Sequence, residues 1–102
     1  MTKEQLTNWL NGLRSGNFKQ LRDGFYNQDT EEYCCLAVYS KCNNNLKYGI
    51  LKFPNPKDFG KTEADSPMLS KFINMNDAAK LNFNEIADFA EAYYKDKLDD
   101  AQ

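Results

Sequence analysis

Two sets of residues in this chain could do chemistry, and the residue type that most often does it is missing. Arg14, Lys19, Gln20 and Arg22 bring three cationic side chains and an amide into nine residues. Arginine makes forked contacts to phosphate and glutamine both donates and accepts, so the four form a candidate anion-binding site. Two readings compete with it: solvated surface charge, or pairing with acidic residues further along. The second set is Cys34, Cys35 and Cys42. There is no histidine, which removes the commonest general base and metal ligand and excludes Ser-His-Asp and Cys-His catalysis within one chain. Zinc would need all three cysteines plus a carboxylate. Neighbouring Cys34 and Cys35 point about 100° apart on a helix, which hinders chelation. No metal and no cofactor is therefore expected. An enzyme would be left with thiol or carboxylate chemistry, and Cys34, one heptad before Lys41, is the better placed thiol. Small buried hydrophobes explain the cysteines more simply, with Cys35 buried and reduced. The chain is expected not to be an enzyme.

The element that must position the thiols is the densest apolar run, Tyr33 to Cys42. Tyr33, Leu36, Ala37 and Ser40 follow i, i+3, i+4, i+7, and so do Cys35, Val38, Tyr39 and Cys42. These stripes lie on roughly opposite sides of a helix, so the helix has neighbours on both. Asp29 can cap it, with Glu31 and Glu32 in an acidic first turn, and Asn43-Asn44-Asn45 can end it, which predicts a central helix over 30–42.

Before it, Thr2 and Gln5 have capping-box spacing, and Leu6, Trp9, Leu10 and Leu13 stripe a helix over 3–14 that Gly16 can close. Asp23-Gly24 is a hairpin-type turn between Phe18, Leu21 and Phe25, Tyr26, which makes 17–28 two short strands or an ordered loop. After the central helix, 47–53 reads as a short strand closed by Pro54 and Pro56, with a turn-rich loop over 54–66. Ser66-Pro67 opens a helix to 73, Asn74–Lys80 is a turn with room for one helical turn inside it, and Asn82 with Glu85 caps a helix over 83–95, with Leu81 stapled to Ile86. The expected fold is α+β: one domain, 1–102, mostly helical, four helices around 30–42 and a small antiparallel element from 18–27 and 47–53. The expected core is Leu6, Trp9, Leu10, Leu13, Cys35, Leu36, Val38, Tyr39, Phe72, Ile86, Phe89 and Tyr93.

A chain of 102 residues, 41% hydrophobic and 14% aromatic, can bury one modest core with rings as a large part of it. No apolar run approaches the roughly 20 residues of a membrane span. Met1 to Gln5 has no apolar signal core, so the thiols are expected to stay in a reducing cytoplasm. Residues 1–61 carry a net +3 and residues 62–102 a net −5. That split marks either a binding face or two halves that attract each other.

Three blocks carry a resemblance. They are Leu13-Arg14-Ser15-Gly16-Asn17-Phe18-Lys19-Gln20, then Tyr33-Cys34-Cys35-Leu36-Ala37-Val38, then Met75-Asn76-Asp77 with Phe83-Asn84-Glu85-Ile86-Ala87-Asp88-Phe89. Together they resemble a group of small uncharacterised proteins of tailed bacteriophages and prophages, with LRSG-x-aromatic-x-Q, YCCLG and LND…F-x-EIAD blocks. Ala37 stands where that group has glycine after CCL, and Leu21 where glycine commonly follows KQ. The second departure weakens a glycine-dependent ligand loop. The resemblance implies a phage source and the cytoplasm of an infected bacterium, and no reaction. The expected function is a non-catalytic accessory protein that binds a host protein or a small anionic ligand, in host takeover or anti-defence. The alternatives are a nucleic-acid-binding regulator of helix-turn-helix type, which an acidic pI near 5.1 opposes, and a small virion component. No membrane partner is expected, and self-association is left open.

Overall fold

Thr2 and Gln5 make the expected capping box, each side chain accepting the other residue's backbone N–H. They start α1 (Lys3–Arg14), which Gly16 closes at φ +77°. The computed structural model describes residues 1–60 and 68–98. After α1 come β1 (Lys19–Gln20), β2 (Tyr26–Asn27), β3 (Glu32–Tyr33), α2 (Cys35–Cys42), β4 (Leu46–Lys47), β5 (Ile50–Leu51), α3 (Pro56–Phe59), α4 (Met68–Asp77) and α5 (Phe83–Tyr94). The class is the expected α+β, and among the described residues no helix is long and apolar enough to cross a membrane.

Helix α2 is central, as its two stripes required: residues 34 to 40 are all buried, with α1 against one side and α4 against another. It begins at 35, however, and not at 30. The Asn27 carboxamide takes the N–H groups of Asp29 and Thr30 in a turn, and Glu31 sits in the left-handed region at φ +56°. That conformation cannot continue a helix. Glu32–Tyr33 becomes a strand instead, and Cys34, not Asp29, is the N-cap.

The strands also correct the expected pairing. Asp23-Gly24 does not join a hairpin of its two flanks. β3 lies between them, parallel to β1 and antiparallel to β2. Tyr33 drives this arrangement, its ring 5.0 Å from Phe18 and 4.7 Å from Tyr26. The 47–53 segment joins none of these strands. It pairs locally, β4 with β5, through Tyr48-Gly49. Both turn residues have positive φ, the pattern of a two-residue hairpin turn.

Trp9 holds the centre. It is fully buried, edge-on to Tyr39, Phe59 and Phe72 at 5.1–5.5 Å, and its indole N–H donates to the Cys35 carbonyl at 2.9 Å. Phe59 reaches this cluster because Asn55 caps a single turn with Pro56 in its first position, so the expected loop over 54–66 contains α3. Ser66 and Pro67 lie outside the described residues. α4 runs to Asp77, so the expected turn at 74–80 begins with helix. Asn82 and Glu85 form the second capping box. Within α5, Tyr94 is buried and donates to the Phe59 carbonyl at 2.7 Å, while the expected core residues Phe89 and Tyr93 are half-buried.

Candidate functional site

Three of the four candidate anion-binding residues are hydrogen-bonded within the chain. Gln20 Nε2 donates to Asn76 Oδ1 and to the Leu81 carbonyl, each at 2.9 Å. Arg22 Nη1 donates to the Asn76 carbonyl beside it. Arg14 reaches α5, with Nη2 2.9 Å from Asp88 Oδ1 and 3.1 Å from Glu91 Oε1. Those carboxylates raise the already high pKa of its guanidinium, Glu91 more than Asp88. Lys19 is exposed and makes no such contact among the described residues. Arg14 and Gln20 do share a shallow groove of about 310 Å³ with Phe18 and Phe83, but Lys19 and Arg22 do not line it.

Asn76 is the residue that sequence reasoning missed. It is completely buried, and every polar atom of its side chain is bonded. Oδ1 accepts from Gln20 and from the Cys35 N–H at 3.2 Å, and Nδ2 donates to the Leu21 carbonyl and to Asp77 Oδ1, both at 2.7 Å. One amide thus joins the 20–22 segment, the start of α2 and the end of α4. The three resembling blocks meet here, through Gln20, Cys35 and Asn76. Arg14 and Asp88 join the first block to the third again. A signal existed: Phe72, Met75 and Asn76 fall at i, i+3, i+4, so a polar residue sits on an apolar stripe.

The thiols are free. Burial pushes the Cys34 thiol above its ordinary range, against the opposing pull of the Ala37 and Leu36 N–H groups. Burial also raises Cys35, with Cys34 and Asp77 adding to the effect, and Cys42 is raised by burial too. A reactive thiolate needs the opposite environment. Among the described residues no three of Cys, Asp and Glu are grouped to hold a metal.

Two further surfaces bear on function among the described residues. One is a cleft of about 430 Å³ lined by Asp23, Gly24, Phe25, Cys34, Phe53, Ile73 and Asp77. The other is the β4–β5 hairpin. Its base is anchored: Ser40 Oγ donates to the Lys52 carbonyl at 2.6 Å, and Leu51 is half-buried against the core. Its outer part is open, with Tyr48 93%, Ile50 70% and Leu46 42% exposed. Comparison with protein-family models, with curated proteins and with solved structures gives no match to this chain.

Proposed function

We propose that this chain is a non-catalytic binding protein that captures a partner protein through the β4–β5 hairpin. The observation that carries the reading is the exposure of Tyr48 and Ile50 on one anchored hairpin, with Leu46 exposed on its other face. Large side chains clustered in the open mark contact surfaces, and tyrosine supplies much contact area at little entropic cost. The charge of the region selects the partner. From Tyr33 to Lys57 the chain has four lysines, at 41, 47, 52 and 57, and no Asp or Glu. The complementary partner surface is acidic with an apolar centre.

The phage resemblance supports an accessory role in the cytoplasm of an infected bacterium, with a host protein as partner. Raised thiols and the lack of histidine support a non-catalytic role. A small anionic ligand at Arg14, Lys19, Gln20 and Arg22 is the weaker form of the reading, because it would have to displace internal hydrogen bonds. The helix-turn-helix alternative is opposed by α5, whose exposed face carries Glu85, Asp88 and Glu91.

Affinity capture from infected-host lysate tests this. Wild type and the Arg14→Ala/Arg22→Ala double variant should capture the same acidic protein, and Ile50→Asp should not. Capture lost in the double variant but kept in Ile50→Asp would move the contact to the cationic cluster. Turnover of any substrate would defeat the non-catalytic claim.

A further inference from the structure

The cleft is a different site from the hairpin, and its chemistry differs in sign. Its walls are apolar and come from three separate segments: Phe25 and Phe53, with ring centres 5.4 Å apart, and Ile73 from α4. Gly24 opens the mouth and the Cys34 thiol forms part of the lining. Among the described residues two charges lie on it, both negative, and no cationic side chain lines it.

The Asp77 carboxylate is held in place by one backbone N–H and one side-chain amide. Asp77 ends α4, and its Oδ1 accepts the Asp23 N–H at 2.9 Å and the Asn76 amide at 2.7 Å. Its Oδ2, and both carboxylate oxygens of Asp23, have no hydrogen-bond or ion-pair partner among the described residues. Asp23 is kept in the left-handed region at φ +64° by that same N–H bond. The C-terminal end of α4 adds the negative end of its dipole. The opposing positive end, at α2, is satisfied in part, although Cys34 makes no side-chain capping hydrogen bond. The Cys35 N–H goes to Asn76, and the Leu36 and Ala37 N–H groups face the Cys34 sulfur.

We propose that this cleft binds a small organic cation: an ammonium head between Asp23 and Asp77, with its aliphatic stem against Phe25, Phe53 and Ile73. A volume near 430 Å³ lies in the range of small-molecule sites. Two phenyl rings beside an ammonium group add cation–π attraction, and a half-enclosed apolar wall limits screening of the carboxylates.

The test uses the full chain with isoleucine methyls labelled. The chain has three isoleucines, of which Ile73 lines the cleft, Ile50 is on the hairpin and Ile86 is in the core. Titration with n-hexylammonium should move the Ile73 methyl saturably while Ile50 and Ile86 stay still. n-Hexanol should bind about tenfold more weakly, the size of one ionic contact, and hexanoate should not bind. Asp23→Asn keeps a residue that tolerates left-handed backbone, so it should fold, lose about tenfold for the amine and change nothing for the alcohol. Phe53→Ala, at a 44% exposed position, should weaken amine and alcohol alike. An unmoved Ile73 methyl, equal binding of amine and alcohol, or an amine affinity indifferent to Asp23→Asn would each overturn the proposal. Ile50→Asp should leave amine binding unchanged, so the hairpin reading and the cleft can fail separately.

Discussion

Around Asn76, a polar side chain is buried and each of its polar atoms is bonded. At the β4–β5 hairpin, large apolar side chains stand in water and one of them is strained. Tyr48 has φ +54° and is 93% exposed. Glycine or asparagine would adopt that backbone at lower cost. The first region uses chemistry-capable residues, among them Gln20 and Arg22, to fasten the chain to itself. The second accepts a stability cost at a place where the core gains nothing. The comparison teaches that reactive residue types mark structure here, and exposed apolar ones mark the surface proposed to meet a partner.

Breaking the first region should have the largest effect. Asn76→Ala leaves the buried Cys35 N–H and the part-buried Leu21 carbonyl without their partner. It should cost about 3 kcal/mol, since each orphaned buried group costs about 1–3. Urea titration measures it, and a cost under about 1 kcal/mol would mean that water replaces the amide. Next is a purely steric contrast. Gly12 lets α1 approach α2 so closely that an added Cβ would collide with Cys42 Sγ and lie 3.1 Å from Val38 Cγ1. Gly12→Ala should cost about 1–3 kcal/mol through overpacking. Gly12→Ala with Cys42→Ala should recover part of that, and a double-mutant cycle reads the coupling.

At the hairpin the sign reverses. Tyr48→Asn should raise stability by about 0.5–1 kcal/mol by relieving backbone strain, while weakening partner capture. A loss of stability would place the tyrosine ring in the fold's own packing. The smallest effect belongs to Arg14. Its pairs with Asp88 and Glu91 are solvent-exposed, so Arg14→Ala should cost under about 1 kcal/mol. That cost should shrink further in 1 M salt.

Local rules made much of the fold legible. Both capping boxes, the buried faces of α1 and α2 and the position of Trp9 follow from spacing alone. What escaped was non-local. The Asp23-Gly24 turn looked sufficient for a hairpin, yet Tyr33 enters between its flanks because two aromatic neighbours outweigh a turn preference. Phe59 joins the core against Trp9, Tyr39 and Phe72 from a single turn that has no stripe of its own. The cationic cluster was legible as charge and not as destination, since nothing near Arg14 in sequence reveals Asp88. The cleft was not legible at all. Phe25, Phe53 and Ile73 come from three distant segments, and no short pattern joins them.

The contact of α1 with α5 sets a timetable for synthesis. Arg14 meets Asp88 across 74 residues, and α1 packs on α5. Ribosomes add roughly 5–20 residues per second, so about 4–15 s separate the making of the two contacting positions. A mixed domain of this size folds in milliseconds to seconds once its pieces are present. The growing chain therefore waits, with the Leu6, Trp9, Leu10 and Leu13 stripe incompletely covered, until α5 arrives. Early termination would leave an adhesive fragment in place of a smaller version of the protein, and during translation the interval before α5 is when a chaperone is most needed.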